Sequence, residues 1–466
     1  MRIRILGQNI HVSFAVLALL EALGCFLALI AAGYLRFGFD IHAEQRFQGL
    51  LWPRALLFSA ATFVSLLAFG LYSARQRAGS MGILVRVAAA VGAGVALTAV
   101  GFFVIPSLDI GRGVLGAAAG ISVVLVWTMR ILLPRIVDED ILKRRVLVYG
   151  CARRATCISN LRRRTDRRGF VVVGYVQSDG EQPCVPSERI LDSTRTLREI
   201  CDELSVDEVV VAMEDRRRGF PILGLLDCRL NGVEVTELLT FLERETGRVR
   251  LDVFDLSWII FGGGFRRDYL RILSVRVLDL VTSLMILIAA VPVMLMVALA
   301  IKLEDGWRAP ILYRQARVGL NNEPFEILKF RSMRLDAESD GKARWAQKSD
   351  PRVTRVGAIM RKLRIDELPQ VVNVLQGNMS LVGPRPERPQ FVSELAARIP
   401  YYLQRHCVKP GITGWAQLCY PYGSSEKDTV EKLQYDLYYI KNSSLLFDVA
   451  IILQTAEIVF MGKGGR

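Results

Sequence analysis

At residues 364–370 the chain reads Arg-Ile-Asp-Glu-Leu-Pro-Gln, which sets two adjacent carboxylates, Asp366 and Glu367, between segments of different character. The preceding segment interleaves basic and apolar side chains, a pattern suited to the surface of an anionic membrane. The following segment has apolar residues at helical spacing, with Pro369 in the first turn, where a missing N–H costs nothing. We therefore expect both carboxylates at a helix N-terminus, with a metal or a metal-bound phosphate balancing their charge. An ordinary Asp N-cap followed by Glu is the alternative.

Six motifs, this one included, follow one another along the second half of the chain. They are Lys329-Phe330-Arg331-Ser332-Met333, Asp350-Pro351-Arg352, Asp366-Glu367-Leu368-Pro369-Gln370, Gly383-Pro384-Arg385-Pro386, Val408-Lys409-Pro410-Gly411-Ile412-Thr413-Gly414-Trp415 and Tyr435-Asp436-Leu437-Tyr438-Tyr439. In this order they resemble the bacterial sugar transferases, monotopic polyprenyl-phosphate phosphoglycosyl transferases that start exopolysaccharide and O-antigen repeat units. The resemblance is dense over residues 270–466, and the N-terminal half resembles the large, multi-pass members. One departure is Ser443, where the family pattern has Trp.

The composition separates apolar content from basic charge. Hydrophobic residues make up 52% of the chain, while the formal net charge is +14. The eight cysteines form no CxxC pair and only three histidines accompany them, so we expect neither a zinc site nor disulfides. No nucleic-acid motif is present, and the basic charge therefore indicates a membrane surface rather than nucleic acid.

Residues 1–135 are predicted to form a transmembrane region of four helices. The apolar segments lie near residues 12–33, 54–71, 87–105 and 114–133, each about long enough to span a bilayer, the second being the shortest. The first is too long for a signal peptide and is read as an anchor. Lys and Arg residues precede the first segment, separate the second from the third and follow the fourth, which places residues beyond 134 in the cytoplasm. We thus expect a multi-pass protein of the bacterial inner membrane.

Residues 136–264 are predicted to form a cytosolic, Rossmann-like α/β domain. Apolar strand patterns at 146–150, 171–176, 209–212 and 233–235 alternate with helical stretches. Gly150 follows the first strand, but the other glycines of a dinucleotide fingerprint are missing, so NAD binding is the lesser alternative. The resemblance to large family members implies a regulatory or dimerising role, and hence a homodimer.

Residues 265–466 are predicted to be the catalytic domain, with a re-entrant membrane helix at 277–301. An ordinary fifth span would put Asp366 outside the cell, away from nucleotide sugars. Pro292 lies inside the apolar segment and would interrupt its hydrogen-bond ladder, so a hairpin that enters and leaves by the cytoplasmic face is expected. The family resemblance implies the same re-entrant helix, and a kinked fifth span is the alternative.

The resemblance implies two substrates, a UDP-sugar and a polyprenyl phosphate, which in this family is undecaprenyl phosphate. We expect Asp366 to attack the β-phosphorus, to release UMP and to carry the sugar phosphate to the lipid. Glu367 is expected to hold Mg²⁺. Arg385 is expected to bind phosphate, and Lys329 and Arg331 are expected to bind phosphate or to pair with a carboxylate.

Supporting roles are assigned to residues around this set. Pro384 and Pro386 are expected to hold Arg385 rigidly. Asp350 and Arg352 are expected to pair and to shape the loop before the basic helix, with a purely structural role as the alternative. The aromatic residues are either interfacial anchors or core residues, and these are Trp415, Tyr435, Tyr438 and Tyr439.

Two other classes of protein stay open. A membrane-anchored NAD-dependent nucleotide-sugar dehydratase or epimerase would need a second dinucleotide domain with GxxGxxG and a Tyr-xxx-Lys pair, which residues 270–466 do not supply. A non-catalytic membrane scaffold would give no reason for Lys329, Asp366, Glu367 and Arg385 to occur together. The sugar and the polysaccharide are not indicated by the sequence.

Overall fold

The computed structural model describes the larger part of the chain. The described residues are 2–5, 8–36, 51–69, 71, 80–136, 143–161, 169–192, 195–215, 217, 219–253, 269–334, 337, 351–420 and 425–460. They form two compact units, Met1–Thr246 and Gly247–Arg466. The predicted boundary between residues 264 and 265 lies outside the described residues, and the division into three domains stays a prediction.

The first unit begins with a short antiparallel hairpin and four helices. These are β1 (Arg2–Ile5), β2 (Gln8–His11), α1 (Val12–Arg36), α2 (Leu51–Ala68), α3 (Ser80–Val104) and α4 (Arg112–Ile136). Their buried apolar side chains form one core. Inside it, Glu21 Oε1 lies 2.7 Å from Arg130 Nε, and Arg130 also donates to the Leu71 carbonyl at 2.5 Å. Charged groups among apolar helices face the bundle interior and pair in this way because lipid cannot solvate them.

Four helices of the described chain are long and apolar enough to cross a membrane, by length and composition. They are Val16–Arg36, Met81–Val104, Arg112–Leu132 and Tyr269–Asp305. Three of the four predicted N-terminal spans are in this set. The second helix is apolar over Leu51–Leu67 and is shorter, so its crossing of the membrane stays a prediction.

The rest of the first unit is an α/β fold around a parallel sheet. Its strands are β3 (Arg144–Tyr149), β4 (Phe170–Val176), β5 (Ile190–Leu191), β6 (Glu208–Val211) and β7 (Glu234–Glu237), in the order β5-β4-β3-β6-β7. The helices are α5 (Thr156–Ser159), α6 (Leu197–Glu203), α7 (Ile222–Leu230) and α8 (Leu238–Thr246). Each of the four predicted strands is present. The central β6 is buried throughout, as expected for a continuous apolar run in a parallel sheet, whereas β7 at the edge is mostly not buried.

The second unit combines one long helix with short strands and helices. Its elements are α9 (Tyr269–Asp305), β8 (Leu312–Val318), β9 (Pro324–Phe330), α10 (Arg355–Leu363), α11 (Gln370–Gln376), β10 (Ser380–Val382), α12 (Pro389–Arg398), β11 (Gly411–Thr413), α13 (Trp415–Cys419), α14 (Glu426–Asn442) and α15 (Leu445–Phe460). Strands β8 and β9 form an antiparallel hairpin, and β10 pairs in parallel with β11. A Cβ on Gly383 would lie 2.4 Å from the Lys409 carbonyl oxygen, so this pairing requires glycine after β10.

Both ends of α9 form hydrogen bonds with other elements of the second unit. Near its start, Arg276 donates to the carbonyl of Val374 at 2.6 Å, and Asp279 accepts from the N–H of Leu381 at 2.9 Å. At its end, Glu304 accepts from the N–H of Arg355 at 2.8 Å. These contacts fix the helix ends against α11, β10 and α10.

The predicted interruption at Pro292 is not seen in the secondary structure. Helix α9 is assigned as one element of 37 residues with Pro292 inside it. A proline removes one backbone hydrogen bond without necessarily ending a helix, so the assigned helix continues on both sides. Whether the helix re-enters the membrane is a separate matter, and it stays a proposal.

Candidate active site

The two carboxylates lie in a 3-10 turn, Ile365–Glu367, between α10 and α11. We expected them at an α-helix N-terminus with Pro369 in the first turn. Instead, Pro369 takes the N-cap position of α11 and the carboxylates precede it by a separate turn. The turn exists because Arg364 has a left-handed backbone, with φ of 57°, which ends α10 and redirects the chain. Asp366 and Glu367, which we call the dyad, therefore lie at the sharp junction between α10 and α11.

Helix α10 is held in place by contacts at its first turns. The Thr354 side chain accepts from the N–H of Gly357 at 2.9 Å, and Glu304 accepts from the first backbone N–H groups. A Cβ on Gly357 would lie 2.1 Å from the Ser332 carbonyl oxygen, so glycine permits this close approach. The outward face exposes Ile359 and Leu363, one helical turn apart. The predicted amphipathic helix is thus present, with an exposed apolar edge.

Glu367 is the anion around which the cations gather. Its Oε1 accepts from Arg385 Nη2 at 2.6 Å and from Lys329 Nζ at 3.2 Å. Its Oε2 lies 3.6 Å from Arg364, whose side chain is largely exposed. Burial alone would raise the pKa of the Glu367 carboxyl, but Arg385, Lys329 and Arg364 outweigh it and hold that pKa well below its usual range. The three cations therefore favour the ionised form of Glu367.

Asp366 differs from its neighbour in its contacts. Within the described residues, no hydrogen bond or ion pair engages its carboxylate. Burial and the negative charge of Glu367 raise the pKa of Asp366, against the opposing effect of Lys329, Arg361 and Arg385. A carboxylate that is desolvated and not engaged by donors is more basic and more nucleophilic than one held in an ion pair.

Lys329 reaches the dyad from β9. Burial lowers the pKa of its ammonium group, and Glu367 only partly offsets this. Strand β9 is tied to α11 by Asn373, whose side-chain oxygen accepts from the N–H of Leu328 at 2.9 Å and whose amide donates to the Glu326 carbonyl at 2.7 Å. Asn373 was not singled out in the sequence, although a polar residue within the apolar run of α11 was a signal that could have found it.

Arg385 is presented by the loop that follows β10. Pro384 and Pro386 are buried on either side of it, and the rigidity expected of them stays a prediction. Its Nη1 donates to Gln417 at 3.3 Å, and Arg317 donates to the Pro386 carbonyl at 3.0 Å. Gln417 and Arg317 are neighbours of the site that the sequence analysis missed.

Arg331 does not join this cluster through any contact among the described residues. Its side chain is buried, and its Nη2 lies 2.6 Å from Asp305 at the end of α9. The structure thus places Arg331 at the junction of α9 with β9. Its predicted contact with phosphate stays a prediction.

The predicted pair of Asp350 and Arg352 cannot be followed, because Asp350 lies outside the described residues. Arg352 donates to the Ala337 carbonyl at 3.2 Å.

The aromatic residues form a packed cluster. Trp415, Tyr435 and Tyr439 are buried, and the Trp415 ring lies 5.2 Å from that of Phe447 between centroids. Trp415 also donates its Nε1–H to the Gly247 carbonyl at 2.8 Å. Of the two alternatives left open by the sequence, core packing describes the buried Trp415, Tyr435 and Tyr439, while Tyr438 is half-buried and both alternatives stay open for it.

The loop after β3 engages a carboxylate of the protein itself. Gly150 has φ of 111°, and the next N–H, that of Cys151, donates to Glu181 Oε2 at 3.0 Å. Oε1 of Glu181 accepts from the N–H of Glu214 at 3.1 Å. Glu181 therefore accepts from one backbone donor after β3 and from one after β6.

The residues of the dyad are compatible with a hard divalent cation. Within the described chain no group of three or more His, Cys, Asp or Glu side chains is placed to hold a metal. Mg²⁺, however, is commonly bound by one or two carboxylates together with substrate phosphates. Asp366 and Oε2 of Glu367 are oxygen donors that the strong hydrogen bonds do not occupy. These two groups fit that mode of binding.

With this geometry in view, comparison with known proteins identifies the family. Residues 270–462 match the bacterial sugar transferase family. An exopolysaccharide production protein of Rhizobium leguminosarum bv. phaseoli is 40% identical over 198 residues, which cover 96% of that protein and 41% of this chain. This chain belongs to the bacterial sugar transferase family. The matched region contains the 3-10 turn with both carboxylates and the loop that carries Arg385.

Two longer relatives have names that state a reaction. The UDP-N-acetylgalactosamine-undecaprenyl-phosphate N-acetylgalactosaminephosphotransferase of Aeromonas hydrophila is 42% identical over 52% of this chain and 56% of its own length. The UDP-glucose:undecaprenyl-phosphate glucose-1-phosphate transferase of Xanthomonas campestris pv. campestris is 35% identical over 54% of this chain and 59% of its own length. The matches thus span little more than half the length of these two relatives, and the named sugars differ.

Proposed function

We propose that this family member transfers a sugar 1-phosphate from a UDP-sugar to polyprenyl phosphate and releases UMP. The observation that carries the proposal is the asymmetry of the dyad. Glu367 is engaged by three cations, whereas Asp366 beside it is desolvated and not engaged by a described donor. The relatives named for transfer to undecaprenyl phosphate support this lipid as the acceptor.

In the first half-reaction, a carboxylate oxygen of Asp366 attacks the phosphorus that bears the sugar. A new P–O bond forms to Asp366, the bond to the other phosphate breaks, and UMP leaves with the bonding electrons. In the second half-reaction, a phosphate oxygen of the lipid attacks the same phosphorus. The bond to Asp366 breaks, its carboxylate is restored, and polyprenyl-diphospho-sugar is the product. Covalent capture lets two bulky substrates use one site in turn.

The surrounding cations suit the charge of this reaction. Lys329 and Arg385 stand 3.2 Å and 2.6 Å from the same oxygen of Glu367. Glu367 holds both beside Asp366 in the absence of substrate, and each has donors left for phosphate oxygens. Stabilisation by such fixed charges costs no reorganisation as the phosphorus is attacked.

We further propose that Mg²⁺ is bound by Glu367 together with the diphosphate of the substrate. When bound, the ion would neutralise charge on the diphosphate. This chain would supply carboxylate oxygens as ligands. Lys329 and Arg385 would keep the Glu367 carboxylate oriented toward the ion.

We propose that α9 is re-entrant and that the site faces the cytoplasm. The start of α9 is bonded to α11 and β10, while its end is bonded to α10, so both ends contact one compact unit. A straight span would place its ends on opposite sides of the bilayer. Pro292, near the middle of the helix, has no backbone N–H to donate, so one hydrogen bond of the helix is missing there. The exposed Ile359 and Leu363 of α10 would rest in the same membrane surface.

We also propose that the protein acts as a homodimer in a bacterial inner membrane, with the α/β part of the first unit as a regulatory or dimerising region. The alternative of an NAD-dependent dehydratase is less well supported, because Glu181 accepts from the N–H of Cys151, a donor of the loop that would face a pyrophosphate.

The function is tested with the purified protein in detergent, a panel of radiolabelled UDP-sugars and undecaprenyl phosphate. Label should pass into the lipid phase with one or a few of the sugars, and UMP should be released in equal amount. Failure of every sugar to label the lipid would refute the proposed function.

A further inference from the structure

A buried ion pair lies behind the loop that carries Arg385. Arg405 Nη2 is 2.9 Å from Asp436 Oδ2, and the two side chains are only 7% and 3% exposed. Arg405 belongs to a 3-10 turn, Tyr402–Cys407, and Asp436 to α14. The pair therefore connects two elements that carry none of the residues assigned to the reaction above.

Arg405 is fixed on several sides. Its Nη1 donates to the Tyr402 hydroxyl at 2.8 Å, and its guanidinium lies 5.2 Å from the centroid of the Tyr402 ring. A planar guanidinium with a carboxylate, a hydroxyl and an aromatic face around it has little freedom to move.

Arg405 also contacts the loop that carries Arg385. Arg405 Nη2 donates to the carbonyl oxygen of Arg385 at 3.0 Å. The side chain of the same Arg385 donates to Glu367 at 2.6 Å. Arg385 is thus held by Arg405 through its backbone carbonyl, while its side chain presents its charge to Glu367.

We propose that Asp436 and Arg405 are positioning residues, which place the Arg385 guanidinium against Glu367 by fixing the backbone of Arg385. This inference rests on the proposed function. Among the described contacts neither residue touches the dyad, so both act through Arg385. The competing explanation is that the pair only stabilises the second unit, since a buried ion pair that loses one partner leaves an uncompensated charge.

The test is a double-mutant cycle on the first half-reaction, measured as UMP released in a single turnover by the full-length protein. Asp436→Asn preserves the shape of the side chain and removes the charge that holds Arg405. We expect it to slow the reaction about 10- to 100-fold, as a misplaced catalytic group does. In the Arg385→Ala background the same change should alter the rate less than twofold, because the guanidinium that it positions is gone.

A matched control distinguishes positioning from general stability. Asp448 is also buried in the second unit, where it accepts from the Tyr439 hydroxyl at 2.8 Å. Asp448→Asn should change the rate by the same factor with and without Arg385. If Asp436→Asn does not fold, Tyr402→Phe removes one tether of Arg405 and should show a smaller loss that again disappears in Arg385→Ala.

Multiplicative losses for Asp436→Asn, or for Tyr402→Phe where that variant replaces it, would overturn the inference. Such a result, with an active wild type, leaves the proposed function intact. A wild type that releases no UMP from any UDP-sugar would refute the function and this inference together.

Discussion

The Nη2 atom of Arg385 lies 2.6 Å from Oε1 of Glu367, the residue that follows Asp366 in the chain. The same oxygen accepts from Lys329 at 3.2 Å. Lys329 and Arg385 thus both contact Glu367, whereas the carboxylate of Asp366 has no donor among the described residues. On the proposed mechanism these adjacent acidic residues have separate tasks: Glu367 organises positive charge, and Asp366 reacts.

Glu367→Gln should slow the first half-reaction about 10²- to 10³-fold, because Lys329 and Arg385 lose the charge that holds them beside Asp366. The variant should also need more Mg²⁺ for its remaining activity, and EDTA should silence the wild type. UMP release measured over a range of Mg²⁺ concentrations checks both effects.

Glu323→Gln, at an exposed position in the β8–β9 turn, is the matched control and should behave as wild type. Full activity of the wild type in EDTA would remove the metal from the mechanism.

The rate of UMP release should depend on pH in a bell shape. Asp366 attacks as the carboxylate, so the rate rises with pH through a pKa that burial and Glu367 move above 3.8, the ordinary value for aspartate. On the alkaline side, activity falls as Lys329 loses its proton, at a pKa that burial moves below 10.5. The pH profile of kcat/KM for the first half-reaction, which involves no lipid phosphate, measures both limbs.

Lys329→Arg identifies the alkaline limb, since arginine keeps its charge throughout this range. The limb should disappear or move to higher pH in this variant. An unchanged alkaline limb would show that another group is responsible.

Asn373→Ala should destabilise the second unit by about 1–3 kcal/mol, because it leaves the N–H of Leu328 and the carbonyl of Glu326 without partners. Transfer should slow as well, since these bonds fix the strand that carries Lys329. Thermal unfolding in detergent and UMP release measure the two effects. Asn378→Ala, an exposed change beyond the end of the same helix, should leave both unchanged, and equal stability of the two variants would contradict the assignment.

Cysteine labelling tests the topology of α9. Ser274 and Arg308 flank the apolar segment, and cysteines introduced there should both react from the cytoplasmic face. Asp305 is unsuitable for this purpose because it pairs with the buried Arg331. Pro292→Leu favours a straight helix by about 3 kcal/mol in propensity, so some molecules should then label at residue 308 from outside and lose activity. Labelling of Arg308→Cys only from the periplasm in the native helix would sink the re-entrant proposal.

Strands and helices with a periodic apolar pattern could be predicted from the sequence, whereas features created by tertiary contacts could not. The apolar runs of β3, β4, β6 and β7 and the amphipathic α10 are present as predicted. The left-handed Arg364, which converts the expected helix start into a 3-10 turn, has no local signature because arginine rarely adopts this conformation.

The candidate site shows the same division. Motifs identified Asp366, Glu367, Lys329 and Arg385, which the structure brings together. Arg331 belongs to the same motif as Lys329, and strand alternation alone would place both side chains on one face. Strand β9 ends at Phe330, however, and the Arg331 side chain beyond it pairs with Asp305. Asp436 stands in an apolar and aromatic run, where a lone acidic residue signals a buried partner, but the sequence could not name Arg405 as that partner.

The central claim is that Asp366 becomes covalently linked to the sugar phosphate. The direct measurement is mass spectrometry of the protein after brief incubation with a reactive UDP-sugar and no lipid acceptor. The account predicts an added mass of one sugar phosphate on the peptide that contains Asp366, its loss when undecaprenyl phosphate is added, and its absence in Asp366→Asn. An adduct on another residue, or rapid transfer by Asp366→Asn, would contradict the account.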